Sequence, residues 1–585
     1  MSNTSNNPIL SIIKLYLCIV LITFASNSEA QISFTESSAS QNINVFHSLT
    51  EFVGGVAFYD FDNDGWDDIT FSSQEGDPVR FFKNNLGSLS LVNLNVPEYN
   101  SDTRQINWVD IDNDGDNDLF VVSNSASNRL FLNDGAMNFN DITSASGISM
   151  DIMKSWAATW GDYNNDGYLD LFLGNRDFIN RTYPNILYRN NGDNTFTNVN
   201  SVAGISNANH LTLCASFFDF NNDGWQDIYI SNDRINTSNI LYKNNGDGTF
   251  TDISISSGTN ISIDAMSTTI EDYNYDGFLD IYVTNTQAGN SFFKNNGDET
   301  FTDVANSNGT IFNSIAWGAV FLDADNDRDQ DLYVSGMLDG STAALPSAFY
   351  ENSGTGNFAI PSNAGFDNDV AESYSNAIGD INNDGYPDMT VVNNSPDYNF
   401  LWINGSSANT NNNWLKVTLE GTTSNRMGVG SWIEIQSDGV FQNRYTICGE
   451  GYISQNSGAE FFGLRNSTTI DYVKVTWLSG VEDILYNVSA NQKLHIVESS
   501  TLSVSENELA DNVVVYPNPS KGEITVNTSL ENYKINIYNV LGSNVFFKFD
   551  LVNNANLDLR HLRSGIYFIK ITSLNKEIVK RLIVN

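Results

Sequence analysis

Apolar and polar segments alternate along this chain in a pattern that repeats seven times. In the second repeat, an apolar segment at 106–109 leads into an acidic loop, and another at 119–122 leaves it. In the fourth repeat, a third segment at 239–244 is followed by a glycine-rich turn and a short fourth segment at 249–253. Four short strands in each stretch of about 50 residues are typical of a β-propeller blade.

No stretch shows the 3.6-residue period of an amphipathic helix, so the pattern predicts an all-β fold. We predict a seven-bladed β-propeller over residues 31–404, followed by a small β-domain over 405–498. A polar linker at 499–512 then precedes a C-terminal β-sandwich-like domain at 513–585.

The seventh repeat is incomplete. Its third strand, at 400–404, is not followed by a glycine-rich turn and a fourth strand. Residues 32–37 (ISFTES), near the other end of the chain, resemble the fourth strand at 249–253. We therefore predict that the mature N-terminus supplies the missing strand and closes the ring, which protects sheet edges from aggregation.

Each repeat carries the loop Asp-x-Asp/Asn-x-Asp-x-x-x-Asp, and the seven copies start 50, 52, 57, 53, 51 and 57 residues apart. Hard divalent cations prefer oxygen ligands, and Ca²⁺ takes 6–8 of them. The candidate side-chain ligands at positions 1, 3, 5 and 9 are Asp60, Asp62, Asp64 and Asp68; Asp110, Asp112, Asp114 and Asp118; Asp162, Asn164, Asp166 and Asp170; Asp219, Asn221, Asp223 and Asp227; Asp272, Asn274, Asp276 and Asp280; Asp323, Asp325, Asp327 and Asp331; and Asp380, Asn382, Asp384 and Asp388. Position 7 offers a backbone carbonyl from Trp66, Asp116, Tyr168, Trp225, Phe278, Asp329 or Tyr386. The loops predict up to seven calcium ions.

One such loop alone could be a solvated turn, because Asp, Asn and Gly dominate turns. Seven copies in register favour a metal, and Mg²⁺ is the alternative, although it demands near-octahedral geometry and keeps its waters. Asp62, Asp112 and Asp325 stand at position 3 where the other loops have Asn, so we expect the Asn loops to bind more weakly. Arg328 replaces the glycine at position 6 of the sixth loop, where a left-handed backbone would be strained. Calcium at this loop is therefore in doubt.

The chain is strongly acidic, with 70 acidic and 28 basic residues and a formal net charge of −42. Positions 1, 3, 5 and 9 of the loops contribute 24 of the carboxylates. Calcium that binds only the folded state would stabilise it. The excess negative charge argues against nucleic-acid binding, which depends on neutralising phosphates.

The N-terminus has the features of a secretory signal. Lys14 precedes an apolar run at 15–25, and residues 28–30 (SEA) resemble a cleavage site, so residues 1–30 are predicted to be a signal peptide. The run is too short to span a membrane comfortably, and we expect no membrane span in the mature chain. After cleavage Cys214 and Cys448 remain in different predicted domains, so a disulfide framework is not expected.

A candidate ligand patch lies on the connections opposite the acidic loops. Variable loops on a rigid scaffold commonly carry binding sites. Basic and aromatic residues in blades 2–4 could bind an anionic glycan or a protein carboxylate there: Arg104, Lys154, Trp156, Arg176, Arg181, Tyr183, His210 and Arg234. The alternative is a set of unrelated surface charges.

The repeats over residues 31–404 resemble the VCBS/FG-GAP family, whose members form calcium-binding propellers like those of integrin α-subunit heads. This resemblance assigns positions 1, 3, 5 and 9 of each loop to calcium, and Arg328 departs from it. Residues 424–430 (SNRMGVG), 449–455 (GEGYISQ) and 475–480 (VTWLSG) are similar to the ASPIC/UnbV domain. Leu478 stands where that family often has Pro, and Arg465 where it often has Gly.

Residues 515–519 (VYPNP), 562–568 (LRSGIYF) and 580–584 (KRLIV) resemble the type A C-terminal sorting domain of type IX secretion, typical of the Bacteroidetes. The resemblance implies that residues 513–585 engage the type IX secretion machinery and that the protein is secreted or displayed at the cell surface. The charge of this segment supports a separate unit, because it carries nine basic and five acidic residues in an otherwise acidic chain.

These features favour a secreted or cell-surface calcium-binding protein that binds a glycan or protein ligand without catalysis. A polysaccharide lyase or hydrolase built on a calcium propeller and a structural surface or matrix component remain as alternatives. The four histidines (His47, His210, His495 and His561) form no recognisable triad or zinc spacing, and no Gly-x-Ser-x-Gly elbow is present. Two carboxylates from separate loops could still support glycoside chemistry.

Overall fold

The computed structural model describes residues 32–585 except 48–53, 75, 95, 98–100, 338–344, 367–368, 501–512, 529–532, 540–542 and 574–575. The predicted signal peptide at 1–30 and most of the predicted linker lie outside the described residues. The chain forms two compact units, Met1–Ser500 and Thr501–Asn585. Among the described residues, no helix is long and apolar enough to cross a membrane.

The first unit begins with β1 (Phe34–Glu36), and six complete four-stranded blades follow. Blade 1 contains β2 (Val56–Tyr59), β3 (Asp68–Phe71), β4 (Arg80–Asn84) and β5 (Leu89–Val92). Blade 2 contains β6 (Thr103–Val109), β7 (Asp118–Ser123), β8 (Arg129–Asn133) and β9 (Phe139–Asp141). Blade 3 contains β10 (Ser155–Gly161), β11 (Asp170–Asn175), β12 (Ile186–Asn190) and β13 (Phe196–Asn198). Blade 4 contains β14 (Thr212–Phe218), β15 (Asp227–Asn232), β16 (Ile240–Asn244) and β17 (Phe250–Asp252). Blade 5 contains β18 (Thr268–Glu271), β19 (Asp280–Val283), β20 (Ser291–Asn295) and β21 (Phe301–Asp303). Blade 6 contains β22 (Ile315–Leu322), β23 (Asp331–Met337), β24 (Ala348–Asn352) and β25 (Phe358–Ala359).

Blade 7 joins the two ends of the propeller. It contains β26 (Ser373–Gly379), β27 (Asp388–Asn393) and β28 (Phe400–Asn404), and its outer strand is β1. β1 and β28 are antiparallel, and Phe34 lies opposite Asn404. Phe34 is 3% exposed and packs on Phe366, with ring centroids 5.1 Å apart. The predicted closure by the N-terminus is confirmed, and the inner strands of neighbouring blades, including β26 and β2, contact each other around the ring.

Four one-turn helices follow the outer strands of blades 2–5. They are α1 (Thr143–Ser146), α2 (Asn200–Ala203), α3 (Ser254–Ser257) and α4 (Ala305–Asn308). Each ends at a glycine with a left-handed backbone. These helices were not predicted from the sequence, because four residues are too few to display a helical period.

A 3₁₀ turn (Ser406–Ala408) leads into the predicted small β-domain, which is a two-sheet sandwich. Its strands are β29 (Asn413–Glu420), β30 (Trp432–Ser437), β31 (Val440–Tyr445), β33 (Glu460–Arg465), β34 (Thr469–Thr476), β35 (Glu482–Ser489) and β36 (Gln492–Val497), together with the two-residue strand β32 (Ser454–Gln455) that leaves the sandwich. The two sheets have the orders β33-β29-β36 and β31-β30-β34-β35. Apolar side chains such as Leu415, Ile433 and Val473 form the core between them.

The segment 446–459, which we call the plug, leaves this sandwich and enters the axial channel of the propeller. Its strand β32 pairs in parallel with β2, the inner strand of blade 1. The Trp160 N–H of blade 3 donates to Cys448 O (2.9 Å), and the Gly451 N–H donates to Thr268 O of blade 5 (3.0 Å). Tyr452 and Ile453 are fully buried within the ring. The sandwich and the propeller therefore form one packed body rather than two independent domains.

The second unit is also a two-sheet β-structure, as the sequence predicts. Its strands are β37 (Val513–Tyr516), β38 (Glu523–Thr528), β39 (Tyr533–Asn539), β40 (Asn544–Leu551), β41 (Ala555–Asp558), β42 (Gly565–Ser573) and β43 (Lys576–Val584). The sheet orders are β37-β38-β41 and β40-β39-β42-β43. Val513, Ile535 and Ile569 are among the buried residues of its core.

Candidate metal centres

The seven acidic loops connect the inner and second strands of the blades, so they all lie on one face of the propeller. In loop 2, the Gly115 N–H donates to Asp110 Oδ2 at 2.9 Å. The corresponding bond from position 6 to position 1 is present in every loop. Position 6 has a positive φ throughout, which glycine adopts without strain. Each loop is thus closed around its first carboxylate.

Asparagine side chains at position 4 link neighbouring loops around the ring. The Asn63 amide donates to Gly115 O of the next loop at 3.1 Å. Equivalent bonds start from Asn113, Asn165, Asn222, Asn326 and Asn383, the last of which reaches back to loop 1. Loop 5 has Tyr275 at this position, and its hydroxyl accepts a hydrogen bond from Arg444 of the sandwich. This function was not predicted from the sequence, although Asn stands at position 4 in six of the seven loops.

The asparagine that ends each third strand fixes the carboxylate at position 9. In blade 1 the Asn84 N–H donates to Asp68 Oδ1 at 2.6 Å, and its side-chain amide donates to Ile381 O of blade 7 at 2.8 Å. The backbone bond recurs in all seven blades from Asn84, Asn133, Asn190, Asn244, Asn295, Asn352 and Asn404. These asparagines hold the carboxylate at position 9 in place, and this role was not predicted from the sequence either.

Three loops bring carboxylates together closely enough to hold a metal ion. Within each of them the ligand oxygens lie within 4.8 Å of one another, in the groups Asp60, Asp62 and Asp68; Asp110, Asp112 and Asp118; and Asp323, Asp325 and Asp327. These are the three loops with Asp at position 3. The weaker calcium binding expected of the Asn loops stays a prediction.

Among the seven loops, loop 2 has the most buried carboxylate oxygens without a hydrogen-bond partner. Asp110 Oδ1, Asp112 Oδ1 and Asp116 Oδ1 are buried and have no hydrogen-bond partner in the protein. Burial raises the pKa of Asp118 to about 8, and Asp112 and Asp110 add to this rise. Burial also raises the pKa of Asp110 to about 7. A buried charged oxygen without a partner is costly, and a bound cation would remove that cost. The residues of this loop therefore fit a divalent cation.

Basic side chains distinguish the loops from one another. Lys83, on the third strand of blade 1, contacts Asp62 and lies 2.9 Å from Asp64. In blade 2 the position before the third-strand Asn is Leu132 instead, and in blade 6 it is Glu351. The Lys83 ammonium group thus lies against the carboxylates of loop 1, whereas the corresponding residue next to loop 2 is the uncharged Leu132.

Loop 6 contains the residue that departs from the pattern. Arg328 has a φ of 81°, so it adopts the left-handed backbone that the glycines adopt in the other loops. Its side chain turns toward the sandwich, where it donates to Leu464 O at 2.7 Å and pairs with Asp438 at 3.1 Å. The expected strain is therefore present, while the guanidinium group is used to contact the sandwich.

Loop 7 is tied to the sandwich by a buried ion pair. Lys416 Nζ lies 3.0 Å from Asp380 Oδ2 and donates to Asn383 Oδ1 at 2.8 Å. The Lys416 and Asp380 side chains are 2% and 0% exposed. The face that carries the acidic loops is therefore also the docking surface of the sandwich.

The predicted ligand patch on the opposite face is only partly exposed. Arg104 and Arg176 are buried, pair with Asp102 and Asp233 at 2.7 Å, and lie over the buried ring of Trp156. These three patch residues are not available to a surface ligand, contrary to the expectation from sequence, because the ion pairs and the indole hold them inside the ring. The partly exposed members are Lys154, Arg181, Tyr183, His210 and Arg234.

Comparisons with known proteins match three parts of the chain. A model of FG-GAP-like repeats matches residues 60–121, 110–173, 174–230, 219–283 and 272–334. The ASPIC and UnbV model matches residues 421–503, and the secretion system C-terminal sorting domain model matches residues 514–585. The last match indicates export through type IX secretion to the cell surface or the extracellular space.

The similar curated proteins are animal proteins. Cartilage acidic protein 1 of Xenopus tropicalis is 24% identical over 274 residues, which is 44% of this chain and 40% of the frog protein. Cartilage acidic protein 1 of Homo sapiens is 22% identical over 493 residues, which is 77% of this chain and 72% of the human protein.

Two solved structures show limited likeness. PorZ, described as a surface component of the type IX secretion system of Porphyromonas gingivalis, is 12% identical with a TM-score of 0.26, covering 91% of this chain and 81% of PorZ. BBS1N, solved in complex with ARL6DN, is 7% identical with a TM-score of 0.37, covering 64% of this chain and 97% of that chain. The family models thus match FG-GAP-like repeats, an ASPIC and UnbV segment and a type IX C-terminal sorting domain, and the four-stranded sheets observed in the propeller agree with the repeat matches.

Proposed function

We propose that this protein is a calcium-binding surface protein that binds an extracellular glycan or protein without catalysing a reaction on it. The proposal that calcium binds rests mainly on loop 2, where three carboxylate oxygens are buried without a hydrogen-bond partner. Ca²⁺ takes 6–8 oxygen ligands with flexible geometry, which suits side chains that differ between loops.

The residues that would hold calcium are those at positions 1, 3, 5 and 9 of each loop, with the backbone carbonyl at position 7. When bound, the ion supplies positive charge that neutralises the clustered carboxylates. The protein itself holds the carboxylates in place through three sets of hydrogen bonds. The backbone N–H at position 6 closes each loop, the asparagines at position 4 link neighbouring loops, and the third-strand asparagines bind the carboxylate at position 9. Ion binding to the folded state alone would raise its stability.

The plug supports a surface binding function. Ligand sites often lie in concave clefts, and the axial channel of a propeller is one such place. Here Tyr452 and Ile453 are fully buried in the channel, and Tyr452 packs against Trp317 with ring centroids 5.0 Å apart. A ligand would therefore bind on the outer surfaces, which suits an adhesion or binding protein.

Export is consistent with this role, since the sorting domain directs the protein outside the cell. The unidentified ligand is thus expected among extracellular polysaccharides or surface proteins.

Three measurements on the purified chain test the proposal. Elemental analysis should find several calcium ions per chain, and chelation should lower the melting temperature. Incubation with polysaccharides should give retention without release of reducing or unsaturated ends. Absence of bound calcium with unchanged melting would overturn the metal part, and new sugar ends appearing with time would overturn the non-catalytic part.

A further inference from the structure

One face of the sandwich sheet β31-β30-β34-β35 points away from its core. Pairing between the strands places its outward residues in three rows. The row that we call outer is Phe441, Gln436, Tyr472 and Tyr486; the middle row is Asn443, Glu434, Lys474 and Ile484; and the row that we call inner is Tyr445, Trp432, Thr476 and Glu482. Two rows with aromatic rings therefore flank a polar row, and we call this surface the aromatic face.

The outer aromatic rings are unusually exposed for side chains of their size. Tyr486 is 56% exposed and Phe441 is 48% exposed. Tyr472 and Tyr486 lie with ring centroids 6.5 Å apart. Trp432 is partly exposed and packs edge-on against Tyr445 at 5.2 Å. Large exposed apolar groups gathered on one surface commonly mark an interaction site.

The polar groups between the rings are largely balanced in charge. The Tyr472 hydroxyl donates to Glu434, and Lys474 lies 3.6 Å from Glu482. The face therefore offers both hydrogen-bond donors and acceptors without a strong charge of either sign. This differs from the chain as a whole, whose net charge is −42.

A cleft of about 350 Å³ opens where the inner row meets the propeller. Trp432, Glu434 and Lys474 line the cleft from the sandwich. The acidic loops 4 and 5 line it from the propeller through Asp219, Asn222 and Gly277. Its size falls within the range of about 300–1,000 Å³ typical of small-molecule sites. The aromatic face and the cleft are continuous, since they share the inner and middle rows.

We propose that the aromatic face and its cleft bind an oligosaccharide of neutral or weakly charged sugars. This proposal rests on the proposed binding function, and it adds the location of the binding site and the chemical class of the ligand. A pyranose ring presents an apolar C–H face, which stacks on an aromatic ring, and a rim of hydroxyls, which donate and accept hydrogen bonds. The two aromatic rows are four residues apart along β30, a distance of roughly 13 Å at the rise of a β-strand. A short sugar chain would thus stack at both ends and hydrogen-bond to Asn443, Glu434 and Lys474 between them.

The charge pattern favours a saccharide over other occupants. A strongly basic or acidic protein partner would be matched by a patch of the opposite charge, whereas this face is balanced. Nucleic acid binding needs clustered basic side chains, and Lys474 is the one basic residue in the three rows.

The test is affinity electrophoresis and calorimetry of the purified chain, using xylan, laminarin, galactomannan and dextran with their oligosaccharides as probes. Tyr486→Ala removes an exposed ring, so it should leave folding intact and weaken binding several-fold. Trp432→Ala should weaken binding at least tenfold. Tyr398→Ala is the matched control, because Tyr398 is 48% exposed in a blade 7 connection on the opposite face of the propeller.

Weaker binding by both variants with an unchanged Tyr398→Ala control supports the proposal. Binding of the wild type that neither substitution alters would overturn it and leave the proposed function standing with a different site. Retention by none of the probes would overturn it as well. In each case the calcium content and the chelator-dependent melting temperature test the proposed function independently.

Discussion

Gln455 of the plug makes a pair of hydrogen bonds with the backbone of Trp108 in blade 2. Its Oε1 accepts from the Trp108 N–H at 2.8 Å, and its Nε2 donates to Trp108 O at 2.8 Å. Gln455 is 2% exposed, and Trp108 is fully buried. The side chain thus satisfies one donor and one acceptor of an inner strand, as another strand would.

Gln455→Glu tests how firmly the plug is held. A carboxylate cannot donate to Trp108 O and would be charged when buried, so we expect a loss of about 3 kcal/mol in the free energy of unfolding. Gln455→Ala should lose a similar amount, because both Trp108 groups remain buried without partners. Urea unfolding of the first unit measures this. Gln492→Ala, at a partly exposed position, is the control, and equal stability of both variants with this control would contradict the role of the pair.

The sequence shows residues 449–455 as part of a family motif. It does not indicate that these residues enter the axial channel of the propeller. Residues 449–455 contain two glycines with a left-handed backbone, Gly449 and Gly451. Their partners, however, are inner strands 347 residues away in the case of Trp108. Local periodicity carries no information on such distant pairings, so the docking of the sandwich on the propeller could not be predicted. The closure by residues 32–37 was predictable, because that segment repeats a pattern with a known place in each blade.

Phe34→Ala tests this closure. The ring is 3% exposed and contacts Phe349 and Phe366, so its removal should cost about 3–5 kcal/mol of stability. Thr35→Ala, at an exposed position of the same strand, should be nearly neutral. Deletion of residues 31–40 should lower stability at least as much as Phe34→Ala. Melting temperatures measured by calorimetry provide the comparison, and a neutral deletion would refute the closure.

Asp112→Ala tests loop 2 as a calcium site. Loss of one carboxylate from the group with three unpartnered oxygens should remove one calcium ion per chain. The melting temperature should fall in calcium buffer but equal or exceed that of the wild type after chelation, because without calcium the Asp112 carboxylate only repels its neighbours. Elemental analysis and calorimetry measure the two effects. Asp151→Ala, at an exposed position, is the control, and an unchanged calcium content in Asp112→Ala would count against the site.

The loop carboxylates were predictable from spacing alone, because all four ligand positions lie within nine consecutive residues. The side chains that contact these carboxylates from other strands were not predictable. Lys83 and Asn84 reach loop 1 from the third strand of the blade, and their approach depends on how β4 pairs with β3. The burial of Arg104 and Trp156 was not foreseen either, because these residues were expected in connections, whereas they lie in the inner strands β6 and β10.

Lys83→Leu and Leu132→Lys form a reciprocal test of loop tuning. Lys83 contacts Asp62 and Asp64, so its ammonium competes with a cation at loop 1. Its replacement should tighten calcium binding at that loop several-fold, and the reverse change in blade 2 should weaken loop 2 by a similar factor. Isothermal titration with calcium resolves both. Shifts of the same sign in the two variants would exclude charge competition as the cause.

Lys416→Met tests the coupling between the sandwich and loop 7. Removing one partner of a buried ion pair leaves an uncompensated charge and costs about 3–5 kcal/mol. Calcium bound at loop 7 would itself compensate Asp380, so the loss should be large after chelation and clearly smaller at saturating calcium. Urea unfolding in the two conditions gives the difference. Lys493→Met, at an exposed position of β36, should show little loss in either condition. An equal loss for Lys416→Met with and without calcium would mean that Lys416 acts on the sandwich alone and that loop 7 holds no ion.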